Sequence, residues 1–479
     1  MKSITQKFVM LLCAAMLLTV TLQPVSAAAV RTVFPIATDA IELVASRNYQ
    51  SDNLAQDDQY IYPSFSSLSI VDINPDSLKL FYKFRTDYIY DLVIKGQYAF
   101  AGQQTAGLRV FDITVATPTI FSSHTIPGGA YGMALYGDRL LVTTGPFGLM
   151  ILDTTKPFDM PQVAQLSLDG FSKQISINGS LAVVAVGKNG AHVIDLTNPD
   201  SPAYITTIDG ECTVESATLV GSTAYLACGL KGMRIVDLKN PKAPMVLASL
   251  KTMGFVRQIA IKDNLAYLAE RDAGIQIVDV SDSSSPQPLA LYNTPGGAWD
   301  VTLKDNNIYV ADYPYGLLVL RYNPPVVQEI SIQGGEISST IDKVNTTIPK
   351  DGFYSDVIFR HEPLPAINTP IGPEPTLVKV GSFFRNSAWK DDIQVKPENN
   401  YSISIAVNTD GLTGRQKQFI SLYYRDPEIK RWQRDVSSRL DIATSIITAT
   451  PSHLGIWGVF YDRRDVFSPI SVEEPISIP

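Results

Sequence analysis

Histidine and cysteine are scarce in this chain, with four and three among 479 residues. Little is left from which to build a metal centre or a catalytic triad, and His-x-x-x-His, Cys-x-x-Cys and Gly-x-Ser-x-Gly are all absent. Basic clusters are missing too. Lys plus Arg total 39 against 47 Asp plus Glu, a formal charge of −8, which disfavours nucleic acid as a partner. Beyond the first thirty residues no apolar run is long enough to span a bilayer, and helix-length periodicity is nearly absent. What the chain does have is 45% hydrophobic and 9% aromatic residues, which excludes disorder.

At the N-terminus, Lys2 and Lys7 flank the start of an apolar stretch from Phe8 to about Leu22, and Val25 and Ala27 suit a signal peptidase. A membrane anchor would need roughly twenty apolar residues, more than this stretch supplies. Residues 1–27 are therefore expected to be an export signal, and Leu12 ahead of Cys13 argues against lipid attachment. Its removal leaves 37 basic and 47 acidic residues, a charge of −10. The mature chain is expected to be secreted or at the cell surface, without membrane insertion. In an oxidising compartment Cys212 and Cys228 could pair. A two-residue turn at Gly221-Ser222 would set Cys228 opposite Glu215 rather than Cys212, so a disulfide and two small buried side chains both stay open.

A five-residue phrase recurs seven times, from Leu68-Ser69-Ile70-Val71-Asp72 through Met233-Arg234-Ile235-Val236-Asp237 to Leu317-Leu318-Val319-Leu320-Arg321. Its last residues, Asp72, Asp112, Asp153, Asp195, Asp237, Asp279 and Arg321, are spaced 40, 41, 42, 42, 42 and 42 apart. Twelve residues before each stands a second column: Tyr60, Phe100, Leu141, Val183, Tyr225, Tyr267 and Tyr309. Hairpin signals precede it at Gly137-Asp138, Asn178-Gly179, Gly221-Ser222 and Asp305-Asn306. Turn chemistry follows the Asp, as in Asn240-Pro241-Lys242-Ala243-Pro244, and then another strand. Four strands in each unit of about 42 residues, repeated seven times, predict an all-β chain with a seven-bladed β-propeller. Ala40 to Ser46 reads like the fourth strand of a blade, placed to complete the last one and leave no open sheet edge there. The Asp column is expected to serve the turns, because ring symmetry separates equivalent positions and Asp before a turn accepts local backbone N–H groups.

The phrases Ile235-Val236-Asp237, Ile277-Val278-Asp279 and Asn240-Pro241-Lys242-Ala243-Pro244 resemble the LVIVD-repeat family of secreted bacterial β-propellers, over residues 33–325. The resemblance implies the fold and an exported or surface setting, and it leaves function open. Ser66-Ser67 where other copies have Gly, and Arg321 in place of Asp, depart from the pattern. After Asn323-Pro324-Pro325 the repeat stops. Alternating segments such as Ser355–Phe359, Tyr401–Val407 and Phe419–Tyr424 predict a C-terminal β-sandwich domain of Ig-like kind over 326–468, with a flexible tail at 469–479. The stretches Leu422–Trp432 and Ser452–Phe460 resemble a module common near the C-termini of bacterial exported proteins.

Function is sought where the repeats differ. Ten residues before the Tyr column stand Gln50, Tyr90, Tyr131, Lys173, Glu215, Arg257 and Trp299, followed by Ser51, Asp91, Gly132, Gln174, Ser216, Gln258 and Asp300. A purely structural column would repeat one chemistry, and the first of these does not. In a propeller both would ring one mouth of the central channel, so Tyr90, Asp91, Tyr131, Lys173, Glu215, Arg257, Trp299 and Asp300 are the candidate ligand-binding residues. Aromatic faces beside charges suit a sugar, peptide or small polar ligand. A solvated, unselected rim is the plainer alternative. Asp91 and Asp300 flanking the first unit make a cation conceivable, but no metal or cofactor is assigned. His192 sits in a variable slot of a repeat strand and is expected to pack, and His453 is expected to hydrogen-bond at a turn. The leading expectation is a non-enzymatic binding module with an unidentified protein or glycan partner. An extracellular glycan or lactone hydrolase or lyase using Lys173, Glu215 and Arg257 is second, weakened because neither column holds a histidine. A structural scaffold is third.

Overall fold

The computed structural model describes residues 40–467 apart from 105, 115–118, 210, 365–375, 392 and 429–430. The expected export signal at 1–27 and the tail at 469–479 lie outside the described residues. Two five-residue helices, Gly414–Gln418 and Arg463–Phe467, are the only ones among the described residues, and everything else regular is strand. None of these helices is long and apolar enough to cross a membrane.

Seven four-stranded antiparallel sheets follow one another along the chain. Their first strands are Asn53–Gln56, Ile89–Lys95, Gly132–Tyr136, Ile175–Asn178, Ser216–Val220, Gln258–Lys262 and Gly297–Lys304. Second strands such as Thr223–Ala227 are buried along almost their whole length, which is why they read as short apolar runs. The seventh sheet takes its fourth strand from the other end of the repeat region. Ile41–Arg47 pairs antiparallel with Gly316–Tyr322, as the pattern of Ala40 to Ser46 predicts. In every sheet the register slips once where the third strand meets the fourth, for example at Val193/Ile194 and Ile235/Val236, a bulge that adds twist.

The repeated Asp stands just past this bulge. Oδ1 of Asp72, Asp112, Asp153, Asp195, Asp237 and Asp279 each accepts the backbone N–H two residues on, at 2.8 to 3.0 Å. Four of them, Asp72, Asp112, Asp153 and Asp195, also accept a Ser or Thr hydroxyl, and these bonds hold their carboxyls below the usual range. The column serves the turns.

Neighbouring sheets are stitched together at the start of their first strands. Asn53 Nδ2 donates to the Ile89 carbonyl, Met133 N–H to Asp91, Thr143 Oγ1 to the Lys173 carbonyl, Ala217 N–H to Gln174, and Thr218 Oγ1 to the Ile259 carbonyl. Arg271 and Ala298 exchange two backbone bonds. Leu54 N–H then donates to Asp300, which links the seventh sheet to the first.

A second tie recurs within the sheets across a separation of sixteen residues. Gln103 Nε2 donates to the Asp87 carbonyl, while Glu270 and Asp312 accept the N–H of Gly254 and Gly296, each at 2.9 Å. In the fifth sheet the same place is taken by a Cys212–Cys228 disulfide, with its Cα atoms 5.4 Å apart. The register puts Cys228 beyond the Ser216–Ala227 pair, opposite Glu215, as the turn predicts. The bond forms all the same, because Cys212 reaches in from the segment ahead of the strand.

After Asn323 the chain builds a seven-stranded and a five-stranded antiparallel sheet. Ile330, Phe359, Phe384, Leu422, Trp457 and Val459 from the first share one buried core with Ile337, Val344, Ile403, Ile405 and Ile447 from the second. Buried His361 bridges Asn386 at 2.7 Å and Asp342 at 2.8 Å. His453 stands at a bend, where its carbonyl accepts from Tyr401 Oη at 2.9 Å, and its ring packs on Tyr424 and Trp457, with centroids 3.9 and 5.0 Å away.

Closing a loop of about this length should contribute about 3 kcal/mol through the unfolded chain. Cys212→Ser with Cys228→Ser is therefore expected to lower unfolding free energy by about that much in urea, and reductant should shift the wild type equally. A double mutant as stable as the oxidised protein would show that the tie is redundant.

Candidate functional site

The stitching just described leaves one position free in each repeat. A residue at the entry of the first strand donates its backbone N–H into its own sheet, as Tyr131 does to Thr143, Lys173 to Ala185, Glu215 to Ala227 and Arg257 to Ala269. Its side chain is thus free of backbone duty. In the second and seventh sheets this residue, Tyr90 or Trp299, lies in a register slip of the first strand.

All eight predicted residues line a single cavity of about 250 Å³, together with Asn53, Phe171, Gln174, Ser216 and Gln258. In the first sheet the spacing argument points two residues astray. Asp72 pairs with Tyr60, twelve residues back, whereas Asp237 pairs with Thr223, fourteen back, because the hairpin of the first sheet closes at Ser64–Leu68 and that of the fifth at Ala227–Met233. The true counterparts there are Asp52 and Asn53, not Gln50 and Ser51. Asp52 N–H donates to Ser64 in the common manner.

The side chains at and around the cavity sort into two unlike groups. An arc of rings runs Trp299, Tyr313, Phe65, Tyr88, Tyr90, Tyr131, Phe171, with successive centroids 6.2, 5.1, 5.1, 4.6, 5.1 and 4.8 Å apart. Most contacts are edge-to-face, and Trp299, Tyr90, Tyr131 and Phe171 of this arc line the cavity. The charges form the other group. Lys173 and Glu215 form an ion pair at 2.7 Å. Arg257 and Arg271 both lie on Trp299, at 4.8 and 4.5 Å from its ring, and Arg271 also covers Phe255 at 4.3 Å. Burial, and then repulsion from Arg257, lowers the affinity of Arg271 for its proton. Phe65, Tyr88, Phe171, Tyr313 and Arg271 are not among the sequence candidates, since they lie outside the two columns, Tyr313 at the end of the strand Asn307–Tyr313 and the others between strands. Phe171, two residues before Lys173, was the most accessible signal.

Asp91 and Asp300 are present but occupied. Asp91 accepts Leu92 and Met133 N–H at 2.8 and 2.6 Å, and Asp300 accepts Val301 and Leu54 N–H at 2.8 Å each. Both act as joints between sheets. Burial pushes Asp91 up to about 7 and Asp300 up to about 6. Asp52, held by Tyr88 and Asn53, rises to about 6 for the same reason. Among the described residues no group of three or more His, Cys, Asp or Glu could hold a metal ion. His192 is buried, bonded to Thr207 and to the Asp169 carbonyl, and packs as its slot implies.

The LVIVD-repeat model matches this sequence at residues 88–123, 169–209, 253–294 and 295–320, which span the second, fourth, sixth and seventh sheets. The crystal structure of RRP9 WD40 repeats is similar over 60% of this chain and 99% of its own, at 11% identity and a TM-score of 0.50. The structure of U3-55K covers 60% and 100%, at 11% identity and 0.49. Four segments of the chain carry LVIVD repeats, and the fold is propeller-like. At such identity the likeness speaks for fold alone. Among curated proteins no sequence matches. The unmatched first, third and fifth repeats have the same four strands as the matched ones and the same turn Asp as the second, fourth and sixth.

The raised carboxyls have a testable consequence. Asp52, Asp91, Asp300 and Glu270, the last also lifted by burial to about 7, hold protons in the fold that the unfolded chain has released above its ordinary values. Their contribution is complete at acid pH and disappears as pH rises through about 6 to 7. The melting temperature is expected to fall between pH 5 and pH 8, and Asp91→Asn with Glu270→Gln to flatten that slope. A profile rising over the window would contradict the assignment.

Proposed function

We propose that the seven sheets are the blades of a closed seven-bladed propeller spanning 33–325, joined to a β-sandwich module at 326–468, in a secreted or cell-surface binding protein of bacterial origin whose export signal is residues 1–27. Hydrogen bonds passing from each sheet to the next, and from the seventh back to the first, support the ring. The two sheets around one core support the sandwich.

Binding at the channel mouth is the function the geometry favours. One observation carries it: on a scaffold whose turns and stitches repeat, the residues facing the cavity do not, and they sort into an aromatic arc and a charged wall. A shallow cavity with ring faces and a few fixed polar groups suits a small polar ligand or the end of a larger one. Lys173 and Glu215 neutralise one another, which favours holding a ligand over transferring protons, so the reading is a binding protein and not an enzyme. The remainder of the molecule would hold the mouth away from the envelope or matrix.

A thermal-unfolding screen of the full chain against glycans, peptides, lactones and divalent cations tests this. A ligand at about a hundred times its dissociation constant adds about 2.7 kcal/mol. Trp299→Ala with Tyr131→Ala is expected to leave the unliganded melt nearly unchanged and to abolish the shift. Undiminished binding by that variant would remove the mouth from consideration.

A further inference from the structure

The chain carries a net charge of −8, yet Arg257 lines the cavity and Arg271 lies on the same Trp299 ring, and neither has a carboxylate partner. Arg257 and Arg271 share the Trp299 ring, and neither forms an ion pair with a described residue. Arg271 Nε is buried with no hydrogen-bond acceptor. The acidic groups within electrostatic reach are engaged or turned outward. Asp52 is held by Tyr88 and Asn53, Asp300 by two backbone amides, and Glu215 by Lys173, while Asp272 is exposed on the loop that carries Arg271. Two like charges that share one aromatic ring at the cavity, with no carboxylate bonded to either, form a site that an anion would complete. A guanidinium flattened on a ring keeps its in-plane N–H fork free, the geometry that carboxylates match.

Tyr90, Tyr131 and Phe171 line the same cavity as Arg257, with successive ring centroids 5.1 and 4.8 Å apart in edge-to-face contact. Such rings take the C–H face of a pyranose as readily as another aromatic, and the Lys173–Glu215 pair offers both a donor and an acceptor to hydroxyl groups. The cavity is slightly smaller than pockets for drug-sized ligands, which limits it to one or two rings. We propose that the mouth binds the end of an acidic polysaccharide: a uronate-type sugar whose carboxylate lies against Arg257 and Arg271 and whose ring lies on the aromatic arc. This rests on the reading of the mouth as a binding site.

Tetragalacturonate and its fully methyl-esterified form present the same rings with and without charge. Titrated calorimetrically into the full-length protein, the acid is expected to bind at least about tenfold more tightly than the ester, and to weaken with rising salt. Arg257→Gln and Arg271→Gln, each retaining the wild-type melting temperature, are expected to lose about tenfold or more in affinity for the acid while leaving the ester unaffected. Equal binding of acid and ester would overturn the anionic assignment and leave the mouth reading intact. So would unchanged binding of the acid by both arginine variants. Binding of neither oligomer overturns the uronate class, and the neutral sugars and peptides of the thermal screen then judge the mouth separately.

Discussion

Every first strand in the seven repeated sheets is a sheet edge, and its outward backbone groups must be satisfied by something outside its own sheet. The structure meets that demand at each junction with a hydrogen bond from the neighbouring repeat, and the partners differ: Asn53, Asp91, Thr143, Gln174, Thr218, Asp300 and one backbone pair. Much else follows from this. The carboxylates that perform it are removed from water and titrate high, and the geometry of the junction decides which neighbouring residue is left to face the cavity.

In the first, second, fourth and seventh sheets the stitch, Asn53, Asp91, Gln174 or Asp300, directly follows the cavity position, so one short segment separates two duties there. The stitching residue keeps polar chemistry of almost any kind that can reach an N–H or a carbonyl. The residue before it carries no structural load beyond its own backbone bond, and this position holds tyrosine, lysine, glutamate, arginine and tryptophan in different repeats. In the C-terminal sheets buried His361 bridges Asp342 and Asn386 within the molecule's second core.

Most of the scaffold was legible because its signals are local. A turn Asp and its N–H partner lie two residues apart, and hairpins declare themselves through Gly137-Asp138, Gly221-Ser222 and Asp305-Asn306. Even there the reading slipped once: the turn marked as Asn178-Gly179 falls on Gly179-Ser180, since Asn178 still pairs with Leu181. The error in the first repeat is larger and has the same origin. Counting back from the Asp assumes a constant hairpin length, and two residues missing between Ser64 and Leu68 displace the cavity position from Gln50 to Asp52. The disulfide stayed open because a strand register constrains only residues on strands, and Cys212 is not on one.

The sequence alone determined the repeat, its four strands, the service of the Asp column to its turns, and the eight side chains that share one cavity. These depend on periodicity and on contacts within a few residues, which a linear pattern records directly. Only the tertiary structure decided that Asp91 and Asp300 spend their oxygens on a neighbouring sheet, that Phe65, Tyr88, Tyr313 and Phe171 complete an aromatic arc, and that Arg271 joins Arg257 on Trp299. Those contacts join loops and sheets from different repeats, and whether a side chain is spent or free depends on a neighbour that its own repeat does not encode.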